Sequence, residues 1–96
     1  MTDFVVEQGT GYIRYNSGIQ ICWGRKQSNV TGAYSITFPK AFKSGTYPTI
    51  TTTFEGASGT SNYYSYVIKD SLSNTGCQMK GANGNYMGYS AFGVWK

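Results

Sequence analysis

The 96-residue sequence has no histidine, two cysteines, two prolines and four acidic residues. Each shortage removes a class of chemistry. Without histidine, neither Cys22 nor Cys77 has the usual base to lower its thiol pKa or accept its proton, so Cys–His nucleophilic catalysis is excluded. The two cysteines stand 55 positions apart (77 − 22) and have no histidine to join them, so they cannot complete a four-ligand zinc site. They are expected to be free, buried thiols, with one disulfide between strands as the alternative. Two of the four acids, Asp3 and Glu7, fall in the first ten residues. That leaves Glu55 and Asp70 as the carboxylate pair available for general acid–base work, and both read better as solvated turn residues. No apolar run approaches the roughly 18 residues of a membrane span, and "MTDFVVEQGT" lacks the basic start and apolar centre of a signal peptide. No membrane insertion and no cofactor are expected.

What is present is 13 glycines, 9 tyrosines and many serines, threonines and asparagines, with only 12% of residues charged. This is a β-rich recognition composition, in which tyrosine supplies contact area and short polar residues supply adaptable hydrogen bonds. The net charge of +4 is spread over scattered lysines and arginines, and only Arg25 and Lys26 are adjacent. Readers of nucleic acid interleave aromatics with cations on one strand face. Here "NYYSY" and "NYMGY" are interleaved with Asn, Ser, Gly and Met, so no nucleic-acid partner is expected.

Period-2 patterns dominate and no window sustains helical spacing, which predicts an all-β fold. Phe4 to Glu7 reads as an extended lead-in that ends at Gly9-Thr10-Gly11. Tyr12 to Tyr15 and Ile19 to Gly24 form a hairpin about Asn16-Ser17-Gly18. Ala33 to Phe38 places Tyr34, Ile36 and Phe38 on one face, Pro39 stops the strand, and Phe42 tucks back beneath the turn. Thr49 to Phe54, Tyr63 to Lys69, Cys77 to Lys80 and Tyr89 to Trp95 supply the remaining strands. Six to seven short strands at this spacing predict an antiparallel β-sandwich, with residues 1–10 as an N-terminal arm and 11–96 as one domain. The stretches Glu55 to Asn62 and Gly81 to Gly88 read as polar loops.

Sugars present apolar ring faces beside many hydroxyls, so a site for them needs an aromatic plate next to short amide or hydroxyl groups. Asn62, Tyr63 and Tyr64, with Asn83, Asn85 and Tyr86, offer that combination. They are the candidate receptor or glycan-binding residues.

Five segments in order, "GYIRYNSGIQICWG", "YSITFPKAF", "YPTITTTF", "SNTGCQMK" and "YSAFGVWK", resemble the C-terminal tip domain of bacteriophage tail fibres and related prophage or tailocin fibres. The resemblance runs from Gly11 to Lys96. It implies a homotrimeric knob similar to the H-type lectins, placed on the virion at the distal end of the tail fibre beyond an upstream shaft. Its partner would be a bacterial surface polysaccharide or surface protein. Ile19, Ile21, Trp23, Phe38, Phe42, Ile50, Phe54, Phe92 and Val94 match structural positions of that pattern, as core or subunit interface. Burial of exposed aromatics gives such assembly a physical motive. Met1 is expected to begin an excised or separately encoded tip. The alternatives are a knob that only registers the trimer, and a glycan-degrading enzyme using Glu55 and Asp70.

Overall fold

The computed structural model describes residues 3–28, 34–55, 65–81 and 85–96. Eight strands run in the order β1 (Val5–Gly9), β2 (Tyr12–Tyr15), β3 (Ile19–Ser28), β4 (Tyr34–Thr37), β5 (Thr49–Glu55), β6 (Ser65–Val67), β7 (Gly76–Gly81) and β8 (Asn85–Val94). They form two antiparallel sheets, one ordered β1-β2-β3-β8-β5 and the other β4-β7-β6. No helix occurs among the described residues. The all-β expectation holds, with one strand more than the six to seven anticipated.

The hairpin turn forms as its residues demand. Gly18 takes φ of 105°, a region that an L side chain resists, and its N–H closes the turn on the Tyr15 carbonyl at 3.0 Å. Two elements differ from the sequence reading. Part of the expected N-terminal arm is a strand, because Val5–Gly9 pairs with β2 and Glu7 faces Arg14. Asn85 and Tyr86, assigned to a loop, open β8, because β3 continues past Gly24 to Ser28 and gives them partners in Ser28 and Gln27.

The core lies between the sheets in two joined clusters. One holds Cys22, Phe38, Phe42 and Ala91, and the other holds Cys77, Met79 and Met87. Ile36, Leu72 and Tyr89 pack against both. Phe38 and Phe42 meet edge to face at 5.3 Å, so "FPKAF" folds its second phenylalanine back under the first as expected. Both cysteines are buried and free.

On β3 the burial pattern is inverted. Gln20 and Cys22 are fully buried, whereas Ile19 and Trp23 are each 45% exposed. Their neighbours on β8, Phe92 and Val94, are exposed as well, and Ile19 stands opposite Val94 while Ile21 stands opposite Phe92. Of the nine positions read as core or interface, Phe38 and Phe42 are core. Ile21, Ile50 and Phe54 are half-buried, and the other four lie open on the outer face of the larger sheet.

The buried amide of Gln20 is satisfied on every side described. Arg14 Nε donates to its Oε1 at 2.6 Å, and its Nε2 donates to the Lys40 carbonyl at 2.8 Å. Arg14 also reaches Glu7 and the Ala41 carbonyl, and its guanidinium stacks 5.0 Å from the Trp95 ring centroid. One side chain thereby ties β1, β2, β3, the Pro39–Phe42 segment and the C-terminal residues together. Arg14→Met keeps the stem but leaves the buried Gln20 oxygen without its donor. It should lower stability by about 1–3 kcal/mol in guanidinium unfolding, with the same sheet signature by circular dichroism.

Candidate functional site

Because β3 and β8 each run ten residues, the two ends of the sandwich lie roughly 30 Å apart. The first described residues and the C-terminal residues belong to one end. The Phe4 N–H bonds the Asn16 side chain, and Trp95 donates its backbone N–H to Gly18 and its indole N–H to Tyr15. At the other end the flanking strand residues gather, with Ser28 opposite Asn85, Glu55 opposite Tyr86 and Ser65 opposite Gly81. A hydrogen bond of 3.0 Å from the Thr52 hydroxyl to the Ser65 carbonyl ties the two sheets there.

Of the candidate binding residues, Asn62, Tyr63, Tyr64 and Asn83 lie outside the described residues. Asn85 contributes its backbone to the β3–β8 ladder. Tyr86 is partly exposed at this end, on the outer face of the sheet. Sequence reasoning missed its neighbours. The Arg25 guanidinium sits 3.8 Å from the Tyr86 ring centroid, and its Nε donates to Glu55 Oε2 at 2.6 Å. No local sequence signal marks them: Arg25 stands opposite Gly88 and Glu55 opposite Tyr86, and the contact emerges only once the β3–β8–β5 register is known. Glu55 thus pairs with Arg25. Asp70, its anticipated partner, occupies a turn beyond β6 at φ of 65°.

Both charged side chains are more than half exposed, so the ion pair adds little stability. Its effect is to hold the cation over the ring. The result is a fixed aromatic plate with a cation on one side and a carboxylate beside it. Next to it lies a shallow cleft of about 180 Å³ that Thr53, Ser90 and Tyr89 also line. Gly88 keeps this surface open, since a Cβ there would fall 2.7 Å from the Thr53 hydroxyl.

No group of three or more metal-ligating side chains occurs among the described residues. The thiols of Cys22 and Cys77 are pushed up chiefly by burial. Tyr89 is pushed up to about 12, mainly by burial and further by the two neighbouring thiols. All three are acids whose neutral form the fold favours. Their contribution to stability is therefore complete below the unfolded values of 9.0 for the thiols and 10.0 for the phenol. It is lost as pH rises through the folded values. Urea unfolding followed with pH should show stability declining as pH rises above about 9. In Tyr89→Phe the part of that decline between 10.0 and about 12 should disappear.

The family of gp53-like, C-terminal tail fiber proteins matches residues 14–94. No curated protein matches the chain. Among solved structures, the R2 pyocin fiber of P. aeruginosa, comprising C-terminal residues 323–691, is similar with a TM-score of 0.71 at 20% identity. That likeness covers 97% of this chain and 26% of the fiber fragment, so the chain spans about a quarter of that fragment's length. An N-truncated R1-type pyocin tail fiber is similar with a TM-score of 0.62 at 22% identity, covering 98% of this chain and 87% of that one. These likenesses give the fold.

Proposed function

The chain belongs to the gp53-like C-terminal tail fibre family, and from that membership we propose that it is a non-enzymatic tip that adheres to a bacterial surface polysaccharide. The observation that carries this reading is polarity. The first described residues and the C-terminal residues sit at one end of the sandwich, while the Tyr86 plate, its Arg25 and Glu55 flanks and the ends of five strands sit at the other. A shaft that enters at the terminal end presents the opposite end to a host. Tyr86 then serves as the stacking plate for a sugar ring, with Arg25 and Glu55 as hydrogen-bonding flanks and Asn62, Tyr63, Tyr64, Asn83 and Asn85 as further contacts. The same polarity supports placement at the distal end of the virion or tailocin fibre.

A double substitution of Tyr86→Ala with Arg25→Ala should reduce binding to host cells at least tenfold. Both sites are at the surface, so unfolding should shift by no more than about 0.5 kcal/mol. Unchanged cell binding in that variant sinks the assignment of the plate.

The homotrimer belongs to the same proposal. Ile19, Trp23, Phe92 and Val94 make an exposed apolar face on the larger sheet, of the kind that subunit interfaces cover. Three copies also raise the avidity of a weak single sugar site. Sedimentation of the purified chain should give a trimer, and Trp23→Glu should return it to monomer with β-structure retained. This face also favours a second reading, a knob that only registers the trimer. Purified tip that neither binds host cells nor competes with adsorption of the particle selects that reading instead.

A further inference from the structure

The two sheets leave an open seam between β3 and β4. β2 ends its pairing with β3 at Cys22, and the Trp23 N–H makes the last contact on that side, to the Gly11 carbonyl at 3.0 Å. Successive residues of a strand direct their backbone groups to alternate sides. Arg25, two residues past Trp23, therefore directs its N–H and C=O to the side where no described strand stands. β4 is one of the two outer strands of its sheet and, among the described residues, pairs with β7 alone. The Phe38 N–H bonds the Thr75 carbonyl toward β7, so Ser35 and Thr37 direct their backbone groups the other way, toward β3.

These two strand edges border one cleft of about 220 Å³. Its floor is apolar and includes Met79 and Met87, which are 1% and 2% exposed. Tyr89 closes it from the β8 side. Its ring lies against Gly24, where a Cβ would fall 2.7 Å from the ring and 3.4 Å from the hydroxyl. The neutral Tyr89 phenol can donate a hydrogen bond to an acceptor placed in the cleft.

A ligand that fits has an amide, to answer an N–H on one edge and a C=O on the other, a methyl group for the thioether floor, and an acceptor for a phenol. We propose that this seam seats the acetamido group of an N-acetylated sugar. The amide takes the place of a strand residue between Arg25 and the Ser35–Thr37 edge. Its methyl packs on Met79 and Met87, and a ring or hydroxyl oxygen accepts from Tyr89. An extended peptide would use the same edges, but the cleft is lined by two residues of β3 and three of β4, fewer than the roughly five to six residues of an ordinary strand. The inference rests on the glycan-binding reading and adds to it a second contact, with a stated chemistry, apart from the Tyr86 plate.

Amide-resolved NMR titration of the intact chain with the methyl glycosides of N-acetylglucosamine and glucose tests it. The acetamido sugar should shift the Arg25, Ser35 and Thr37 amides saturably, with at least tenfold higher affinity than the glucoside. Tyr89→Phe keeps the ring and should weaken binding about fivefold, the effect of one lost hydrogen bond. Thr37→Pro removes a cleft-facing N–H that the β4–β7 ladder does not use, and it should weaken binding similarly. Equal response to both sugars, shifts confined to Tyr86, or unchanged affinity in Tyr89→Phe overturns the assignment. Tighter binding of an extended hexapeptide at the same amides overturns the ligand class. Host-cell adhesion that persists without any acetamido response removes this inference alone. Acetamido binding at the seam with no adhesion to host cells removes the adhesive reading and leaves the seam.

Discussion

The buried Gln20 amide fixes which way the central strand faces. A side chain that can accept and donate is enclosed with an arginine on its oxygen and a carbonyl on its nitrogen, so it costs little where it is and much anywhere else in the interior. A slip of one residue in β3 would turn Gln20 outward and bring Ile19, Ile21 and Trp23 inward. Burying the parts of those side chains that remain exposed would gain a lone chain about 1 kcal/mol each, yet the Arg14–Gln20–Lys40 contacts and the small volumes of Cys22, Ala91 and Gly93 select the other register. Gly93 shows the tightness directly, because a Cβ there would lie 2.8 Å from the Phe42 ring. Beside the Phe38–Phe42 turn the interior takes small residues from β3 and β8, namely Cys22, Ala91 and Gly93, while Met87 and Tyr89 of β8 fill the other cluster. The bulk of β3 is left for a surface.

The fold was legible in the sequence wherever alternation and turn chemistry agreed. Asn16-Ser17-Gly18, the stop at Pro39 and the return of Phe42 depend on local rules, and all three hold. The direction of β3 was harder to read. Alternation divides Ile19, Ile21 and Trp23 from Gln20 and Cys22, but it does not say which set is inside. The strong apolar set suggests the core, and the deciding contacts come from Arg14 and Lys40, 6 and 20 residues from Gln20. The same limit hid the start of β8. "GANGNYMG" looks like a loop by composition, and Asn85 and Tyr86 become strand residues only because β3 extends far enough to pair with them.

The candidate site was legible in kind rather than in members. Tyr86 was chosen as an aromatic beside amides, and it does stand exposed at the end where strands converge. The groups that position it, Arg25 and Glu55, are 61 and 31 residues away in sequence (86 − 25 and 86 − 55). They meet through two ladder registers that no local pattern encodes. A scattered cation and a spare carboxylate are ordinary solvated residues until the sheet aligns them. Once aligned, they hold a ring and also account for Glu55, the acid that a hydrolase would have needed.

Cys22 shows how far position governs chemistry here. In sequence it stands next to Trp23 in a glycine-bounded stretch that suggests a reactive centre. In the fold it is enclosed between the sheets, with its thiol held neutral by burial and its nearest polar contacts an amide and a backbone carbonyl. Neither contact is a base strong enough to accept a proton, and the alternation that hides Cys22 is what exposes Trp23. A strand that buries its thiol and presents its indole has no use for the sulfur as a nucleophile. Under the proposed trimer the indole gains a partner, and Trp23 belongs to the surface where copies meet.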